Sequence, residues 1–372
     1  MLNCPLHQPE PRGRMRHYLF FVNQPYAYSI LRPLQAEIRR RGGRVAWFVA
    51  GCSSAPLQPD EHLLCTVDEA RAYPAVATFV PGDWVPHFLP GIKVEVFHGL
   101  ARNKRGHATE DTSDHYTIRG WFDLYCTHAA TDTAKFSALA AEHGHFRVNR
   151  TGWPKLDPLF SAGAPAGPRL RATDEPPVVF FASTFSRNIT SAPALAGVIG
   201  RLAATGKWRF IVTLHPKMNA EIVQRYRAMS GPNLRFVESN ADLLPLLPEA
   251  DIMLCDTSSI MFEFMFLDRP VVTYRSRMAG PYLLDVQDVE AVEPALAQAL
   301  ERPPALLESA RALCEELHPF RDGHSSARVL DAVDEVLATG PTPRAKPLNL
   351  LRKLKMRRRL RKALAVTAQS AP

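Results

Sequence analysis

"DIMLCDTSSIMFEFMFLDRPVVTY", residues 251–274, changes its periodicity twice within one short stretch. Ile252 to Cys255 is a continuous apolar run, short enough for a strand buried on both faces, and "PVVTY" at 270–274 is another. Between them Asp256-Thr257-Ser258-Ser259 forms a polar turn that opens a helix over about 260–267. Strand, turn, helix, strand is a βαβ unit, whose two strands lie parallel in one sheet. The fold class follows from this unit if the rest of the chain repeats it.

It does repeat. "VVFFAST" (178–184), "WRFIVTLHP" (208–216) and "LRFVES" (234–239) read as strands, with helices near 192–205 and 218–229. "ADLLPLLPEA" (241–250) is a short helical element interrupted by Pro245, and residues 275 to about 337 are mainly helical. Upstream, strands are expected at 17–24, 44–50, 75–80, 93–99 and 123–130. A helix near 28–41 stops at Gly42-Gly43, and another at 132–144 has a capping Asp132 and a closing Gly144. "FRVNRTGWPKLD" (146–157) is a strand running into a turn. "SAGAPAGPRLRATDEPP" (161–177), rich in Pro, Ala and Gly without periodicity, is a linker. The 372 residues exceed one typical core. The expectation is two doubly wound α/β domains in tandem, 1–160 and 178–337, followed by a tail at 338–372.

Composition narrows the class. Apolar content of 46% and a mean hydropathy of −0.15 describe a globular chain. No stretch approaches the ~20 apolar residues of a spanning helix, and the N-terminus makes a poor signal peptide. The six cysteines show no C-x-x-C pair or zinc spacing, and Cys65, Cys126 and Cys255 sit in apolar runs as small buried hydrophobes. A reducing cytoplasm is expected. The net charge of +8 is concentrated: residues 344–362 hold ten Lys/Arg and no acid, leaving 35 basic against 37 acidic residues elsewhere. This segment, with a broken apolar face of Leu350, Leu351, Leu354, Leu360 and Leu364, predicts electrostatic adhesion to anionic lipid. A body without a nucleic-acid fold disfavours nucleic acid as the partner.

Chemistry-bearing residues collect at strand ends, where open α/β sheets bind ligands. Ser183, Thr184, Ser186 and Arg187 follow one strand, His215-Pro216-Lys217 a second, and Asp256-Thr257-Ser258-Ser259 a third. A single hydroxyl cluster of this kind is more often only a helix cap. Three on successive strands favour a phosphate-bearing ligand. In the first domain "VEVFHGLARNKRGH" (94–107) puts His98-Gly99 at a strand end before Arg102, Lys104 and Arg105. An imidazole there suits a general base, and the cations suit an anionic acceptor. Walker, G-x-G-x-x-G, G-x-S-x-G and H-E-x-x-H patterns are absent, and no metal ligand set is expected.

The motifs "VFHG" (96–99), "TGWPKLDPLF" (151–160), "FASTFSRN" (181–188), "LHP" (214–216), the segment 242–274 and "FRDGHSSARV" (320–329) occur together in order. In this the chain resembles the CDP-glycerol glycerophosphotransferase family of teichoic-acid-type polymer and capsule synthesis, over roughly residues 90–330. The resemblance implies a GT-B architecture, two Rossmann-like domains with a cleft between them, the donor on the second domain and the acceptor on the first. It implies His98 as catalytic base and His215 near the donor diphosphate, with Arg187, Ser258 and Ser259 on donor phosphates and Asp256 opening that turn. It also suggests a donor-side role for Asp322, Ser325 and Ser326. The activity implied is transfer of glycerol phosphate, or a related alditol phosphate, from a CDP-linked donor to a hydroxyl of a lipid-linked or polysaccharide acceptor, releasing CMP. No tightly bound cofactor is expected, and the setting is a bacterial cell envelope, peripheral on the inner face of the cytoplasmic membrane. Leu100-Ala101 and Arg102-Asn103-Lys104 depart from the small hydroxyl residue and proline common after the HG pair, so the acceptor stays open. A GT-B glycosyltransferase, a sugar-nucleotide epimerase using a UDP or CMP sugar, and a non-catalytic membrane-bound scaffold of a polysaccharide-export complex are the alternatives.

Overall fold

A computed structural model describes residues 15–100, 114–161, 167–169, 172, 174–238, 241–340 and 342–369. The acceptor-side cations Arg102, Lys104 and Arg105 lie outside the described residues.

The first half runs β1 (His17–Val22), α1 (Ala27–Arg40), β2 (Arg44–Val49), β3 (His62–Leu63), α2 (Val67–Ala72), β4 (Ala75–Val80), β5 (Ile92–Glu95), β6 (Leu124–Thr127), α3 (Ala130–His143), β7 (Arg147–Arg150) and α4 (Asp157–Phe160). Its seven strands form one parallel sheet in the order β3-β2-β1-β4-β5-β6-β7. The second half runs β8 (Val178–Ser183), α5 (Ala192–Ala204), β9 (Arg209–Leu214), α6 (Ala220–Ala228), β10 (Leu234–Val237), β11 (Ile252–Cys255), α7 (Ile260–Met265), β12 (Val271–Tyr274), β13 (Leu284–Val286), α8 (Val292–Leu300), α9 (Pro304–Leu317), α10 (Ser325–Thr339) and α11 (Leu350–Gln369). Its six strands form a second parallel sheet, β10-β9-β8-β11-β12-β13. Strand order reverses between β1 and β4 in one sheet and between β8 and β11 in the other, the switch points where such sheets take ligands.

The period-two pattern explains the layering. Tyr18, Phe20 and Val22 of β1 face one core, and Leu19 and Phe21 face another. In β8, Val178, Phe180 and Ala182 join the same core as Tyr18 and Phe20, while Val179 and Phe181 enter a third. That first core is shared by both halves. Two helices then return to the first sheet: α10 packs on α1, β6 and β7, and α11 buries Met356 and Leu360 in the core behind β1 and β2.

Some details differ from the sequence reading. Asp132 does not cap α3; Ala129 holds that position, and Asp132 lies buried in the first turn, accepting from the Tyr116 hydroxyl at 2.6 Å. Cys65 is exposed, because it lies in the turn between the edge strand β3 and the Thr66 cap of α2. Gly144 does close α3, at φ 71°.

Candidate active site

The hydroxyl-rich turns after β8 and β11 meet at the second switch point. Asp256 is fully buried there and accepts from Ser183 Oγ (2.6 Å), Thr184 N (3.0 Å), Ser191 N (3.0 Å) and Ser191 Oγ (3.1 Å). Ser183 Oγ in turn accepts from Ala192 N at 3.2 Å. Asp256 and Ser183 therefore cap α5 and fix the loop 184–191. Burial pushes the Asp256 carboxyl above its ordinary range, and the donors around it pull the other way. Thr257 is also buried and accepts from Arg277 N at 3.1 Å, tying the β12–β13 loop to the same turn.

What remains accessible is a smaller set. Ser258 and Ser259 are half-buried and make no side-chain cap to α7, and Arg187 is exposed on the loop that Asp256 holds. The Thr184 hydroxyl is buried without a partner among the described residues. His215, just past β9, accepts from Lys217 N through Nδ1 at 3.1 Å, which puts the neutral ring's proton on Nε2. Phe185 packs against its ring at 4.4 Å. An N–H donor, a guanidinium and two hydroxyls on neighbouring strand ends can hold a diphosphate.

In the first domain, His98 and Gly99 follow β5. His98 is exposed and stacks on Tyr26 at 5.3 Å and 27°. The residue before it, Phe97, has φ 56°, a left-handed backbone that aims the next side chain away from the core. Its carbonyl accepts from Trp153 Nε1 (3.3 Å), and its ring sits among His115, Tyr125, His128 and Phe136. Burial holds His115 down at about 4, aided by the charge of His98, and holds His128 well below its ordinary value. Glu95, at the end of β5, is raised well above the carboxylate range by burial and then by Asp83.

The segment 151–160 joins the two sides. Gly152 has φ 79°, and a Cβ there would come within 2.6 Å of Ser325 Oγ and 2.8 Å of His318 Nε2. Trp153 N donates to His318 Nε2 (2.8 Å), and Lys155 pairs with Glu263 of α7 at 2.7 Å. Asp157 accepts from Ser325 N (2.8 Å) and Ser326 N (2.7 Å), capping α10. Ser325 and Ser326 are thus buried in this clasp, and Asp322 is engaged by Arg328 and by His324 N. The bonds to Asp157 use the backbone N–H groups of Ser325 and Ser326. Trp153, Lys155, Asp157 and His318 had no role assigned from sequence; the first three lay inside "TGWPKLDPLF", whose density of special residues was the available signal. Tyr26 and Glu95 were missed too, although a carboxylate inside an apolar strand is a legible anomaly.

Among the described residues no group of three or more His, Cys, Asp or Glu is arranged to hold a metal ion. No curated protein sequence matches the chain. Among solved structures it is similar to the wall teichoic acid polymerase TagF (13% identity, 86% of this chain and 89% of that one, TM-score 0.62). It is also similar to S. aureus MnaA with UDP (14%, 87% and 97%, 0.55). A third is the UDP-GlcNAc 2-epimerase from Neisseria meningitidis bound to UDP-GlcNAc (13%, 87% and 100%, 0.54). At these identities the likeness concerns the fold, the two-domain parallel α/β architecture of GT-B type. The sequence itself goes further: residues 80–282, more than half of the chain, match the model of one family. The chain belongs to the CDP-glycerol:poly(glycerophosphate) glycerophosphotransferases, transferases that use CDP-glycerol in cell-wall polymer synthesis.

Proposed function

We propose that His98 is the general base of this transfer and that the accessible second-domain groups hold the donor. An acceptor hydroxyl loses its proton to His98 as its oxygen attacks the phosphorus that bears glycerol. The bond from that phosphorus to the CMP oxygen breaks, and CMP leaves with the electron pair. His215 Nε2–H, Arg187, Ser258 and Ser259 stabilise the charge that gathers on the diphosphate. Asp256, Ser183 and Thr257 act on the donor indirectly by fixing the loops that carry these groups. The acceptor is a hydroxyl of a lipid-linked or glycan chain, approached through the first domain, and Arg102, Lys104 and Arg105 are candidates to meet it. The single observation that carries the reading is the left-handed Phe97, held by Trp153, which turns His98 outward at the sheet's ligand-binding edge. His98→Ala abolishes CMP release while CDP-glycerol still binds; turnover at the wild-type rate would overturn the assignment.

The basic helix α11 supports a peripheral site on an anionic membrane. It carries eight Lys/Arg and no acid, and Leu350 and Leu351 are 71% and 78% exposed. No helix among the described residues is long and apolar enough to cross a membrane. The cytoplasmic face, with its anionic lipid, is the surface this charge fits.

A further inference from the structure

The C-terminal helix does more than carry charge past the body. Its inward stripe is Met356, Leu360, Ala363 and Leu364, one face of a 3.6-residue period, packed on the first domain's core. Thr367 Oγ1 accepts from Gly51 N at 2.8 Å, so the helix lies over the loops at the ligand-binding edge of the first sheet. The loop after β4 contributes the buried Trp84, and the Arg359 guanidinium stands 4.5 Å from the centre of that ring. Arg359 and Asp83 both act electrostatically on Tyr26, and Tyr26 is the ring on which His98 stacks. Arg359, over Trp84 in the loop after β4, and His98, on Tyr26 in the loop after β1, therefore stand on loops at the same edge of the sheet, where Gly82 lies against the Asn23 side chain.

Arg359 is exposed, and its described contact is with an aromatic face, which leaves the in-plane N–H fork directed outward. Asp83, the acid next to Trp84, is paired with Arg119 at 3.4 Å. A guanidinium held over an aromatic ring at the ligand-binding edge of the sheet is suited to a phosphodiester oxygen pair. An acceptor ending in glycerol phosphate carries such a phosphodiester one glycerol away from its attacking hydroxyl.

Resting on the transferase reading above, we propose that Arg359 binds the terminal phosphodiester of the acceptor, so that α11 forms one wall of the acceptor site and sets its specificity for a phosphate-bearing chain. The same chemistry could be presented by a lipid headgroup, so the test has two arms. In the first, calorimetry without donor measures binding of a short soluble oligo(glycerol phosphate) to the full chain. Arg359→Gln weakens that binding about ten- to a hundredfold, the loss of a bidentate charged contact, with Arg359→Lys in between and the Kd for CDP-glycerol unchanged. An unchanged Kd for the oligomer overturns the proposal, as does equal weakening of donor and oligomer, the mark of a merely structural role. In the second arm, co-sedimentation with phosphatidylglycerol vesicles weakens no more for Arg359→Gln than for Arg358→Gln, another of the eight basic residues of α11, about fivefold for one charge. Loss of vesicle binding with unaltered oligomer binding assigns the residue to headgroups and also overturns it. Because the first arm needs no turnover, a wild-type protein that binds the oligomer but releases no CMP would sink the transferase reading and leave this one standing.

Discussion

Phe97 holds a left-handed backbone that costs a bulky residue about 1–3 kcal/mol, and the Trp153 hydrogen bond and an aromatic cage keep it there. The cost falls next to His98, so strain and candidate chemistry coincide. Asp256 shows the converse, a buried carboxylate spent on architecture. Replacing it with Asn turns one acceptor oxygen into a donor facing the N–H groups of Thr184 and Ser191, which cannot rotate away. Asp256→Asn destabilises the protein by about 3 kcal/mol and raises the KM for CDP-glycerol, as denaturant melts and donor titrations would read; unchanged stability would contradict the capping role. His98 was legible in the sequence because an imidazole at a strand end is a local pattern. The division between Asp256, which caps, and Ser258 and Ser259, which stay accessible, was not, because it depends on Ser191, sixty-odd residues upstream.

Among the elements, the central strands such as β1, β8 and β11 were legible as apolar runs, since a strand buried on both faces needs nothing else. The two-residue β3 and the three-residue β13 lie at sheet edges, where one neighbour suffices and the sequence carries little pattern. α11 was legible only in its charge. Its apolar face looked interrupted because two surfaces share the helix: Met356 and Leu360 pack inward, while Leu350, Leu351 and Leu354 remain exposed. The exposed set gives a test that leaves the docked face intact. Substituting Leu350, Leu351 and Leu354 by Ser reduces binding to anionic vesicles at least tenfold, measured by co-sedimentation, with the melting temperature unchanged. Undiminished binding would leave adhesion to the basic residues alone.

At the scale of the whole molecule, one core and one clasp tie the halves together, and that clasp contains a histidine. His318 is buried as an acceptor for Trp153 N, and burial holds it down at about 4; His115 sits at about 4 for the same reason, and His128 is lowered further. Each binds a proton more readily when unfolded, so its contribution to stability is complete above about pH 6.5 and is lost as pH falls toward 4. Glu95 and Asp256, both raised, act with the opposite sign, gaining protons in the folded state as pH falls. Stability therefore falls as pH drops from about 6.5 toward 4 through the histidines, and the two carboxyls offset part of that loss. His318→Gln, which keeps an acceptor without the titrating ring, makes that slope shallower in denaturant melts; an unaltered slope would remove His318 from the account. Tandem α/β domains were visible from alternation, but the return of α10 and α11 to the first sheet was not. It rests on long-range partners such as Asp157 with Ser325 and Gly51 with Thr367.

The most direct test follows CDP-glycerol, with a hydroxyl acceptor, by phosphorus NMR in wild type and His98→Ala. The wild-type protein should convert the diphosphate signals into CMP and a new phosphodiester, and the variant should do so at least about a thousandfold more slowly while binding CDP-glycerol with the wild-type Kd. CMP and phosphodiester appearing at the same rate in both would contradict His98 as the base.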